Sequence, residues 1–207
     1  VVYTDYAFFC GKKLTVVEQE IAKYSDVIKK LRQDVAFSFI NITHQAILSL
    51  LKNEENSYYL VKEDREELEG NSINIRTIIF RTCLHKLIPC YLFEEFSEAI
   101  KNANIVAENL DCLIGHASHT VFNFYDSLTK LAVYPTLLKS QQIKLRQEIK
   151  SNQKKMKKWA HYAPMNYLHK FNLVEAEMCR VLNKDMEAMD YYDRAIALAR
   201  SQSADPG

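Results

Sequence analysis

Apolar positions recur along the chain at steps of three and four. Over residues 14–32 they fall at Leu14, Val17, Ile21, Tyr24, Ile28 and Leu31, one stripe down the side of a helix. Upstream, Val2–Cys10 is apolar and reads as the preceding helix of a pair, with Gly11 supplying the turn. The spacing resumes over 33–52 through Ala36, Ile40, Ile47, Leu48 and Leu51, and then stops. Residues 53–72 carry Glu54, Glu55, Glu63, Asp64, Glu66, Glu67 and Glu69 against Lys62 and Arg65, which predicts a solvated acidic loop.

Helical spacing returns over 75–92, where Pro89 is expected to kink or break it. A turn at 93–95 leads to a helix over 96–110 with an inner stripe of Phe96, Ile100, Ala103, Ala107 and Leu110. Gly115 punctuates. A helix over 117–133 follows, with Val121, Phe124, Leu128, Leu131 and Ala132 inside and Pro135 at its end. Ser140 is the expected N-cap of a basic helix over about 141–162, closed by Pro164. Helices over 166–182 and 185–200 are joined at Asn183-Lys184. The pattern therefore predicts an all-α chain, with residues 1–207 forming a single array of antiparallel helix pairs.

Composition sharpens this reading. Gly and Pro number 4 each in 207 residues, roughly 4% together against about 12% in average usage, too few turn residues for a sandwich, barrel or doubly wound sheet. Lys plus Arg number 27 against 26 Asp plus Glu, a net charge of +1, so bulk charge favours neither nucleic acid nor membrane. No apolar run approaches the length of about 18 residues that a membrane span needs, and no signal-peptide pattern opens the chain. The cysteines, Cys10, Cys83, Cys90, Cys112 and Cys179, are odd in number and widely spaced, as reduced thiols of a cytoplasmic protein would be. The first residue is Val, so the chain reads as a piece of a longer one.

Helix-pair arrays are tested by their period. The tetratricopeptide unit, about 34 residues long, keeps small side chains at its eighth, twentieth and twenty-seventh positions, where helices approach closely. Ala176, Ala188 and Ala195 fit these spacings, with Tyr192 at the aromatic position and Asn183 at the turn, so 166–200 is the best-fitting unit. A second unit around Ala99 fits less well, and the two copies stand 89 residues apart, which breaks the period. The array is tetratricopeptide-like and irregular.

Four runs add a resemblance: Phe124–Leu128, Asn152–Ala160, Ala163–Lys170 and Ala188–Ile196. As a set they resemble the helical-repeat region of very large bacterial multi-sensor signalling kinases. That family orders a serine/threonine-kinase-like domain, an ATPase domain, the helical repeats, a GAF sensor domain and a histidine kinase domain. The resemblance is dense over 120–200 and looser before 75. It implies a non-catalytic interaction or spacer region without catalytic residues of its own, partnered by other proteins or by neighbouring domains. The family's repeats continue past the unit that ends here, so the array reads as truncated.

The residues agree with an absence of catalysis. Four glycines spread along the chain make neither a kinase loop nor a Walker loop. No histidine has the setting of a phosphoacceptor, and His44 and His85 read as core or edge histidines. Cys112, His116 and His119, spaced by four and three, could place metal ligands on one face. A turn at Gly115 and the want of a fourth ligand argue against it, so no metal and no cofactor is expected. Cys83 and Cys90 read as core, and Ser127 beside Asp126, with histidines elsewhere, is no sign of a nucleophile, since any chain this long contains such sets. The most tempting feature is basic: residues 139–158 hold eight Lys or Arg and one acid, Glu148. Lys150, Lys154, Lys157 and Lys158, with Trp159 nearby, form a candidate interaction patch. It suits an acidic partner or, as the alternative, nucleic-acid phosphates. The bland reading is a solvated face with Met156 and Trp159 turned inward.

Overall fold

The computed structural model describes residues 2–52, 72–113 and 117–203. Helices account for nearly all of them, and no strand occurs among the described residues. The chain divides into two compact units, Val1–Val121 and Phe122–Gly207. The acidic loop expected at 53–72 lies outside the described residues except for Ser72, and so does Gly115.

The first unit is built from α1 (Val2–Phe9), α2 (Leu14–Lys30), α3 (Asp34–Lys52), α4 (Ser72–Leu92) and α5 (Phe96–Glu108), with a 3-10 turn at Leu110–Leu113. Helix α3 packs on α2 and α4, α5 packs on α4, and the short α1 lies against α2 and α3. The core gathers Val17 and Ile21 of α2, Ile40 and Ile47 of α3, and Phe80, Leu84 and Leu87 of α4. By length and composition α3 could cross a membrane. A third of that stretch is buried, and the buried face carries Thr43 and Ser49 beside Ile40, Ile42 and Ile47.

Two stripes and one expected break differ from the sequence reading. Tyr24 and Leu31 of the α2 stripe are exposed, because only the first half of that helix is covered. In α5 the buried residues are Ala99, Asn102, Ala103 and Val106, whereas Ala107 faces solvent. Asn102 takes a core position because its amide donates to the Glu98 carbonyl at 2.8 Å, which satisfies a polar group that hydrophobic spacing skips. Helix α4 runs through Pro89 to Leu92. Pro89 lacks the N–H that would reach the carbonyl four residues back, and so near the helix end that loss is tolerated.

The second unit takes most of α6 (Ser118–Val133), a 3-10 turn at Tyr134–Thr136 holding Pro135, α7 (Lys139–Tyr162), α8 (Pro164–Val181) and α9 (Asp185–Ser203). Helix α8 is central and packs on both α7 and α9. Val174, Ala176 and Met178 of α8, Ile149, Met156 and Ala160 of α7, and Ala188 and Ala195 of α9 are all buried in this unit. Helix α7 begins before Ser140: its cap is Leu138, whose backbone N–H donates to Gln141 Oε1 at 3.1 Å. The glutamine reaching back does the work expected of a serine. Pro164 opens α8 at its first turn, where its missing N–H costs nothing.

Four helix ends close in the same way. Gly11, Arg32, Glu94 and Asn183 have φ of 75°, 51°, 64° and 56°. The next residue then donates its N–H to the carbonyl five back: Lys12 to Ala7, Gln33 to Ile28, Glu95 to Cys90 and Lys184 to Cys179, at 2.8–3.3 Å. These are left-handed caps that reverse the chain for an antiparallel neighbour. With few glycines available, Arg32 and Glu94 accept a conformation that costs a side-chain-bearing residue about 1 kcal/mol.

Candidate functional site

The residues read as repeat packing gather between α8 and α9. Ala176 is fully buried, and Ala188 and Ala195 are nearly so. Without larger side chains the two helices approach closely. Asn183 holds the left-handed turn between them. The Tyr192 hydroxyl donates to Glu177 Oε1 on α8, while Arg180 binds Glu177 Oε2 at 2.7 Å. Burial first, and then the Glu177 carboxylate, push the Tyr192 phenol up to about 12.

Polar side chains join the other helices of this unit. Asn152 of α7 donates to Asp126 Oδ2 of α6 at 2.8 Å and to Ser127 Oγ at 3.2 Å. Lys130 stands 2.9 Å from both Asp126 and Glu148. Gln153, the next residue on α7, donates to the Phe171 carbonyl and to Glu175 of α8 at 3.1 and 2.8 Å. Asn152 and Gln153 thus turn adjacent side chains to opposite neighbours. Burial raises the Asp126 carboxyl, and Glu148 adds to the rise. Burial would lower Lys130, but Asp126 and Glu148 outweigh it and hold the ammonium high. Ser127 donates to the Asn123 carbonyl at 2.8 Å, so no base activates it.

The first unit contains a polar centre that sequence reasoning missed. Asp5 of α1 is fully buried, with Thr43 of α3 and Arg81 and His85 of α4 around it. Arg81 Nη2 donates to Asp5 Oδ2, and Thr43 Oγ1 donates to Asp5 Oδ1 at 2.5 Å. His85 Nδ1 lies 2.8 Å from the Arg81 carbonyl, an acceptor only, so Nδ1 carries the hydrogen. His85 Nε2 lies 3.3 Å from Thr43 Oγ1 and 3.6 Å from Asp5 Oδ1. Phe8 stacks on the imidazole at 5.7 Å and Phe39 lies under the guanidinium at 4.6 Å. Burial pushes the Asp5 carboxyl up, but the His85 ring, the Arg81 charge and the Thr43 hydroxyl together hold it down at about 2.

This set has the residue types of a hydroxyl–imidazole–carboxylate relay but not its geometry. A relay puts the acid on one ring nitrogen and the nucleophile on the other. Here Asp5 and Thr43 face the same nitrogen, and a backbone carbonyl takes the other. The Thr43 hydrogen points at the carboxylate, so the arrangement holds three helices together. Sequence offered one signal for it, an aspartate inside the apolar Val2–Cys10 run.

The basic patch lies on the outer face of α7. Lys150, Lys154, Lys155, Lys157 and Lys158 are exposed, and none has an ion-pair partner among the described residues. Trp159 is half-buried, 6.3 Å from the Tyr167 ring on α8, and Met156 is fully buried. Of the three spaced metal candidates, His116 lies outside the described residues, and His119 stands beside Phe80 at 6.2 Å. No group of three or more His, Cys, Asp or Glu is placed to hold a metal among the described residues. The five cysteines are free thiols. Burial and then Glu95 raise Cys90 to about 12, and burial lowers His169 to about 4. The chain matches no family model, no curated protein and no solved structure.

Proposed function

We propose that the chain is a non-catalytic interaction and spacer module, a tetratricopeptide-like superhelix within a multi-domain signalling kinase. In this reading it works in the cytoplasm, needs no cofactor, and couples sensor, ATPase and kinase domains through its outer surfaces. The observation that carries the reading is how the motif runs are used. Asp126-Ser127 and Asn152-Gln153, which carry the family resemblance, bond one helix to the next rather than converging on a reacting centre. Residues spent on stacking helices fit a module whose output is shape and surface. The fold alone does not decide this. Sequencing the reading frame on both sides tests it. An ATPase-like domain upstream with GAF and histidine kinase domains downstream is the expected result. Stop codons closing the frame at both ends overturn the kinase assignment.

The lysines of α7, without ion-pair partners among the described residues, favour a second reading, a helical repeat that binds nucleic acid or an acidic partner through 139–158. It requires oligonucleotide binding that weakens steeply with salt and is lost when Lys154, Lys155, Lys157 and Lys158 are changed to Glu.

A further inference from the structure

Two outer faces of the second unit are uncovered, and their chemistries match. On α7, Lys150 and Lys154 stand exposed on the same side of the helix as Ile143, two and three turns earlier, which is 53% exposed. No acidic residue occurs between Glu148 and Glu175, so nothing on that stretch neutralises the lysines. On α9, Met186, Met189 and Ile196 are 76%, 60% and 48% exposed, on the side away from the buried Ala188 and Ala195. Asp190 and Asp193 lie along the same exposed stripe, without ion-pair partners among the described residues. One face is cationic around a single exposed isoleucine, and the other is apolar with anionic flanks.

We propose that the occupant of the α9 face is the α7 face of a second copy of this chain. Set antiparallel with Asp190 against Lys150, one register brings Asp193 to Arg146, Ile196 to Ile143 and Met186 onto the methylene stem of Lys154. The lengths agree: 143–154 and 186–196 each span about 15 Å at the helical rise. The methionines are unbranched and adapt to a surface of lysine stems. Because the two faces differ, the contact is head-to-tail and leaves a free face at each end, so copies add in an open row. A single helix-on-helix contact is smaller than a standard interface, so the association is weak, and exposed charges make it salt-sensitive. The proposal goes beyond the spacer reading and does not depend on a kinase parent.

Sedimentation of the whole chain over a concentration series tests it. At low salt the average mass rises with concentration, and at high salt the rise disappears. K150E/K154E and D190K/D193K each place like charges across the contact and each stay monomeric. Mixed in equal amounts they associate again, because each supplies the face the other has lost. All four positions are exposed, and circular dichroism verifies that both variants keep their helices. The proposal is overturned if the wild-type chain stays monomeric at low salt, if either variant associates as wild type does, or if the mixture remains monomeric. It is equally overturned if a single-stranded oligonucleotide binds at Lys150 and Lys154 while the protein alone shows no self-association.

Discussion

Asp5 and Asp126 are buried carboxylates, 0% and 4% exposed, held in opposite ways. Asp5 meets an arginine, a hydroxyl and an imidazole from two other helices, and this concentration of donors holds it ionised. Asp126 has one cation, Lys130, which it shares with Glu148, and burial prevails. The difference extends to the units around them. The first is cross-linked by charge between residues 76 positions apart. The second closes its last helix pair with small side chains and a Tyr192–Glu177 bond 15 residues apart. A buried ion is worth keeping only when its partners are complete, whereas close alanine packing needs no partner at all.

The largest break in that comparison is Arg81→Met. It strands the Asp5 carboxylate without its cation and should cost about 3–5 kcal/mol, seen as faster amide hydrogen exchange in α1, α3 and α4. The counterpart in the second unit is Ala195→Leu, which overfills the α8–α9 contact at a cost of about 1–3 kcal/mol, confined to exchange in those two helices. An effect of Ala195→Leu on α1–α4 would mean that the two units do not keep separate accounts of stability.

Acid sharpens the contrast because the two signs differ. Asp5 is depressed from 3.8 to about 2, so its contribution is present above the unfolded value and is lost as pH falls between the two. Asp126 is raised, so its protonation favours the folded state and the second unit gains as pH falls into that raised range. Exchange measured from neutral pH downward should therefore show the first unit opening before the second. Asp5→Asn should remove that acid dependence from the first unit.

The smallest expected effects lie at the turns. Asn183→Ala places an alanine at positive φ and should cost about 1 kcal/mol in thermal stability, whereas Glu94→Gly should gain up to about that much by relieving a strained cap.

These effects follow how legible the molecule was. Ala176, Ala188, Ala195 and Asn183 lie within 20 residues on two adjoining helices and the turn between them, so spacing alone could propose that they meet. Asp5, Thr43 and Arg81 come from three helices with a long acidic stretch between, and no periodicity links them. Asn102 hid the α5 stripe because a satisfied polar residue in a core breaks the hydrophobic pattern that would reveal it. Leu138 displaced Ser140 as the cap of α7 because the glutamine side chain, not the capping residue, supplied the acceptor. The lysine face was plain in the sequence, but its exposure and its want of ion pairs needed the fold.

The claim most exposed to test is that the buried polar centre is a structural clip and not a disguised functional site. A double-mutant cycle on Asp5→Ala and Arg81→Met, read by hydrogen exchange in α1 and α4, decides it. Each single change should be destabilising, and the pair together should lose less than the sum, leaving a coupling of about 2 kcal/mol or more. A single Asp5→Ala that stabilises the protein would contradict it, since a polar cluster retained against stability is the mark of a working site.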